Sequence, residues 1–228
     1  MRIFPPQAEN KQTSSWPLSA VVRVLTAILV IKVTLSILSG YPNYFPPNFN
    51  ADFLLGRERY FWGWYSWAFY VHLVSSPPAL PLGMLLLSPR FRAAFPQWHR
   101  RLGRIQALNV LFLVAPSGFG MAYYAFTGTV AAVGLGALAI ATAVCVASGW
   151  RSAVKRDFVS HQRWMTRTFV LLCSAVVIRI IGGLATVAQY DEAWVYPFSV
   201  WVSWLLPLFI YEMSWRHKRF TQRAPTTV

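Results

Sequence analysis

His72, His99 and His161 each stand inside or at the mouth of a long apolar stretch, and Arg179 lies deep within another. An imidazole nitrogen can ligate haem iron or hydrogen-bond a quinone oxygen, and a guanidinium can pair with a propionate or a semiquinone. Two axial histidines must converge at one depth from different helices. His99 and His161 meet that condition, whereas His72 has no second histidine at its level, since His217 lies past the last apolar stretch. These residue types therefore fit one haem b, its iron held by His99 and His161, or one non-haem ligand such as a quinone beside His72 and Arg179. They point to no other metal.

Arg179 sharpens the question. If one helix runs on from His161, the two residues are 18 positions apart, about five turns and roughly 27 Å. They then share a face with Trp164, Thr168, Leu172 and Ala175. A cation so deep in a bilayer needs a partner. The seven acids all fall in loops or near the ends of apolar stretches, Glu212 being nearest the membrane. Arg179 must then meet carbonyls, water or a bound anion. Carbonyls are at hand in Leu73-Val74-Ser75-Ser76-Pro77-Pro78-Ala79-Leu80-Pro81, where three prolines strip donors from the helix and orphan the carbonyls of Leu73, Val74 and Pro77. Either Arg179 saturates that break, or it shares a polar cavity with His72. The aromatic run 61–70 can wall a planar guest or form an interfacial belt. Gln106, Asn109 and Trp164 are further candidates for lining such a cavity, the first two equally suited to hydrogen-bonding a neighbouring helix.

What positions these residues is a membrane. The chain is 56% hydrophobic and only 12% charged, too apolar for a soluble domain of its length. Six stretches are long enough to cross: 18–39, 63–87, 103–126, 129–150, 164–188 and 195–214. The fold expected is an all-α polytopic bundle of about six spans. A first segment, 1–17, precedes a single membrane domain, 18–214, and a basic tail, 215–228, follows. The first span reads as retained rather than cleaved. The net charge of +14 resides in loops and not in a stripe, which argues against nucleic acid. Arg90, Arg92, Arg100, Arg101 and Arg104 fall in one loop region, Arg151, Lys155, Arg156, Arg163 and Arg167 in another, and Arg216, Lys218, Arg219 and Arg223 in the tail. The positive-inside rule places those loops and both termini in the cytoplasm of a bacterial inner membrane. Arg100, Arg101, Arg104, Arg163 and Arg167 are expected to meet anionic phospholipid. Cys145 and Cys173 read as small core residues.

The sequence also repeats itself. His99-Arg100-Arg101 and His161-Gln162-Arg163 share H-x-R, and a shift of 62 residues superposes them. That makes 63–126 and 129–188 candidate repeated hairpins. Together, His72, His99-Arg100-Leu102-Gly103-Arg104, His161-Trp164-Met165-Arg167 and Arg179 resemble an uncharacterised family of multi-pass bacterial membrane proteins, a domain of unknown function. The resemblance covers about residues 60–185 and implies the fold but no reaction. Three functions stay in play: a haem- or quinone-binding electron-transfer protein, a non-catalytic membrane subunit or assembly factor with a membrane protein partner, and a transporter. The last is disfavoured by the lack of an intramembrane carboxylate. No hydrolase motif is present.

Overall fold

The computed structural model describes residues 18–223 apart from 52, 126 and 191, with side chains from 20 to 217. The expected N-terminal segment 1–17 and the tail's end, 224–228, lie outside the described residues, as do Asp52, Asp191 and the side chains of Lys218, Arg219 and Arg223. Every named element is helical, and among the described residues the single extended feature is an isolated bridge between Tyr44 and Pro47. Six long helices carry the fold: α1 (Leu18–Ser39), α2 (Trp64–Leu87), α3 (Pro96–Ala122), α4 (Thr129–Val154), α5 (Phe158–Val187) and α6 (Val195–Arg223). Five runs of helix, ending before α6, are long and apolar enough to cross a membrane. The sixth helix packs along α4 and both halves of α5.

Hydropathy locates the apolar part of a helix and not its ends. α3 begins at Pro96 and α5 at Phe158, several residues before the apolar runs, because Arg and Gln are good helix formers. Pro96 starts α3 with the φ a first turn requires. Asp157 caps α5 by accepting the Ser160 N–H at 3.0 Å.

Three departures from ideal helix shape the interior. α2 runs unbroken through Pro77, Pro78 and Pro81, and neighbouring side chains bond to three of its carbonyls, one of them orphaned by a proline. The Tyr41 hydroxyl donates to the orphaned Leu73 carbonyl. Asn109 Nδ2 donates to Ser75 O at 3.0 Å, and Gln106 Nε2 to Ala79 O at 2.8 Å. α3 contains one π-helical turn, Val110–Val114, just ahead of Pro116. α5 is interrupted at Cys173, which separates Phe158–Leu172 from Ser174–Val187. The expectation of one continuous helix from His161 to Arg179 is thereby corrected.

That interruption makes the cavity. The first half of α5 lies in the middle of the bundle, against α2, α4 and α6. Beyond Cys173 the second half leaves the middle and packs on α1 and α6 alone. The volume it vacates is ringed by the other helices and roofed by the α1–α2 connection, where Leu54 and Phe61 pack on Tyr65, Phe69 and Leu73 of α2 in an aromatic-rich core. Two ends result: a basic end bearing His99 and His161, and an aromatic end under that roof.

Candidate intramembrane ligand site

The vacated space is a cavity of about 660 Å³ to which all six helices contribute, a size usual for small-molecule sites. It runs from Tyr196 and Arg57 at the aromatic end to Thr142, Leu171 and Leu80, roughly 20 Å deeper by helical rise. Its deep part is apolar. Polar chemistry is concentrated on His72, Arg179, Arg57, Tyr65, Tyr196, Thr142 and Ser174.

His72 is held in one orientation. Its Nδ1 lies 3.2 Å from Val114 O and 3.1 Å from Ser117 Oγ. A carbonyl only accepts, so Nδ1 carries the hydrogen and Nε2 keeps its lone pair. Ser117 spends its own hydroxyl hydrogen on the carbonyls of Leu113 and Val114, which leaves its oxygen able to accept from Nδ1. Val114 closes the π-helical turn, so that irregularity is part of what holds the imidazole. Gly118 gives the ring room, since a Cβ there would stand 3.1 Å from His72 Cε1.

Arg179 shares the cavity wall with His72. Its Nη1 donates to Ala175 O at 3.0 Å, a carbonyl of its own helix. It does not cap the proline segment, whose Leu73 carbonyl belongs to Tyr41. No carboxylate pairs with Arg179 among the described residues.

Arg57 was not among the residues singled out by sequence. In Gly56-Arg57-Glu58-Arg59 it reads as one charge of a solvated loop. In the fold it is buried at the roof, donating to Phe53 O at 2.5 Å, Tyr60 Oη at 3.2 Å and Tyr124 O at 3.0 Å, with its guanidinium 4.6 Å from the Phe53 ring centre. The only sequence signal was its aromatic neighbourhood.

The other expected residues are distributed elsewhere. Gln106 and Asn109 are off the cavity wall and serve α2, as the interhelical alternative required. Trp164 is also off it, lying 4.2 Å beneath the Arg167 guanidinium. Arg163 and Arg167 do not point to lipid phosphate. They grip Glu212 of α6, Arg163 Nη2 on Oε2 and Arg167 Nε on Oε1, both at 2.6 Å. The carboxylate expected merely near the membrane is thus the partner of two arginines 45 or more positions away. Arg100, Arg101 and Arg104 remain exposed at the basic end, where Arg101 sits 5.8 Å from the Trp98 ring centre. His99 and His161 lie at that end too, outside the cavity.

No curated protein and no solved structure matches the chain. A family match covers residues 69–215 and so includes His72, His99, His161, Arg179 and Glu212, together with most of α6, which the sequence resemblance had left out. Arg57, Tyr41 and Tyr65 precede it. On that match the chain belongs to DUF2306, a family described as predicted membrane proteins.

Proposed function

We propose that this is a six-span protein of the bacterial inner membrane, with both termini cytoplasmic, that binds a quinone in its cavity for electron transfer. Charge placement supports the orientation: the basic loops share one end, and the cavity then lies in the outer half of the bilayer. Residues 18–214 form one membrane domain, and Arg100, Arg101 and Arg104 contact anionic phospholipid at the cytoplasmic face.

One observation carries the reading: His72, its Nδ1 committed to Val114 O and Ser117 Oγ and its Nε2 lone pair left over, lines the same cavity as Arg179. A quinol hydroxyl can donate its proton to Nε2, and the anionic oxygen that develops on the ring is stabilised by Arg179. Phe69 and Tyr65 contribute aromatic lining for a planar ring, while Leu73, Leu80, Leu138 and Leu171 offer apolar surface to an isoprenoid tail. A single imidazole at this level favours a quinone over a doubly ligated haem here.

Quinone extracted from the detergent-purified protein tests the reading. Wild-type protein is expected to carry quinone near stoichiometry. His72→Ala and Arg179→Ala each reduce it at least tenfold while eluting as folded protein. A quinone-free wild type, or variants as loaded as wild type, would leave the chain as a non-catalytic subunit whose cations only hold helices together.

A further inference from the structure

The two remaining membrane histidines stand apart from the cavity. His99 is the fourth residue of α3 and His161 the fourth of α5, so each lies about 4.5 Å along its helix from the basic end. The helices that carry them occupy opposite corners of a four-helix arrangement. Pro96–Asn109 packs on α2 and α4, Phe158–Leu172 packs on the same two helices, and the two segments do not pack on each other. Nor does α2 pack on α4. Each histidine lies on its helix's inward stripe, His99 two turns before buried Gln106 and His161 two turns before buried Thr168.

Their hydrogen bonding leaves both rings ready for a ligand. His161 Nδ1 donates to Gly149 O on α4 at 2.9 Å, which fixes the ring and leaves the lone pair on Nε2. His99 has a buried Nδ1 with no hydrogen-bond partner. A buried nitrogen of this kind needs an explanation, and an absent metal group is one. The 62-residue shift supplies a second argument: it places the two imidazoles at equivalent positions of two similar hairpins, as expected of paired ligands to one atom. The carbonyl anchor on His161 is the kind by which bundles orient cofactor-binding imidazoles in their core.

We propose that His99 and His161 are the axial ligands of one haem b between α3 and α5 at the basic end, a site separate from the quinone cavity. Arg92, close enough to act on His99, and the neighbouring Arg100 and Arg104 supply cations for the propionates. The acids of the basic end are already engaged, Glu212 gripped by Arg163 and Arg167 and Asp157 capping α5.

The test is the optical and EPR spectrum of the full-length protein, purified from cells fed a haem precursor and then titrated with hemin. Wild type is expected to show one six-coordinate, low-spin haem per chain. His99→Gly and His161→Gly each lose that signal, and millimolar imidazole restores it, which separates a missing ligand from a lost fold. His72→Ala keeps the haem while losing quinone, so the two sites fail independently. A wild type that takes up no low-spin haem, or glycine variants that retain it unchanged, would overturn the proposal.

Discussion

Glu212 shows how far one acid can reorganise a reading built on cations. Arg163 and Arg167 lie one turn apart on α5, and one carboxylate answers both at 2.6 Å. The side chains are partly solvated, so the pairing is worth less than a fully buried triad, about 1–2 kcal/mol. Glu212→Gln is expected to lower the detergent melting transition by that amount and leave quinone content unchanged. At Gly118 the expectation is opposite. A methyl group there meets the His72 ring at 3.1 Å, so Gly118→Ala should reduce quinone occupancy severalfold with little change in melting. His72, Arg179, His99 and His161 were legible as single residues because polar groups in apolar runs stand out. Arg57 was not, since a cation between loop acids gives no hint that the chain folds it under a roof of aromatic rings. The Glu212 pairing was equally hidden, because contacts between distant helices leave no local pattern.

Among the elements, α2 illustrates why three prolines need not break a helix. The Leu73 carbonyl freed by Pro77 finds a donor on Tyr41, and Asn109 and Gln106 of α3 bond to the carbonyls of Ser75 and Ala79 beside it. Tyr41→Phe removes the donor to Leu73 O and should cost roughly 1 kcal/mol in thermal stability. α4 and α6 meet at Gly134, where a Cβ would come within 2.7 Å of Val200 Cγ1. A β-branched neighbour cannot swing aside, so Gly134→Ala is expected to destabilise by about 1–3 kcal/mol, read as a lower melting transition. Helix identity was open to hydropathy, and hairpin pairing to charge. The interruption of α5 was not: Leu171-Leu172-Cys173-Ser174-Ala175 contains neither proline nor glycine. The 62-residue shift nevertheless carries the π-helical turn, Val110–Val114, onto 172–176, which holds that interruption. Both hairpins thus deform at the same place in their second helix.

For the whole molecule, the displaced half of α5 joins the pieces into one account. The first half of α5 fills the bundle toward the basic end, and the second half leaves its middle at the aromatic end, where the cavity opens beneath the roof. The orientation proposed from loop charge predicts that a reporter fused after Val228 is active in the cytoplasm, and one inserted between α5 and α6 active outside. The central claim is that the cavity places a quinone between His72 and Arg179. Pulsed EPR of the semiquinone trapped in purified protein addresses it most directly. Hyperfine coupling to one imidazole nitrogen is expected, lost in His72→Ala and unchanged in His161→Gly. A semiquinone with no nitrogen coupling, or a coupling that survives loss of His72, would contradict it.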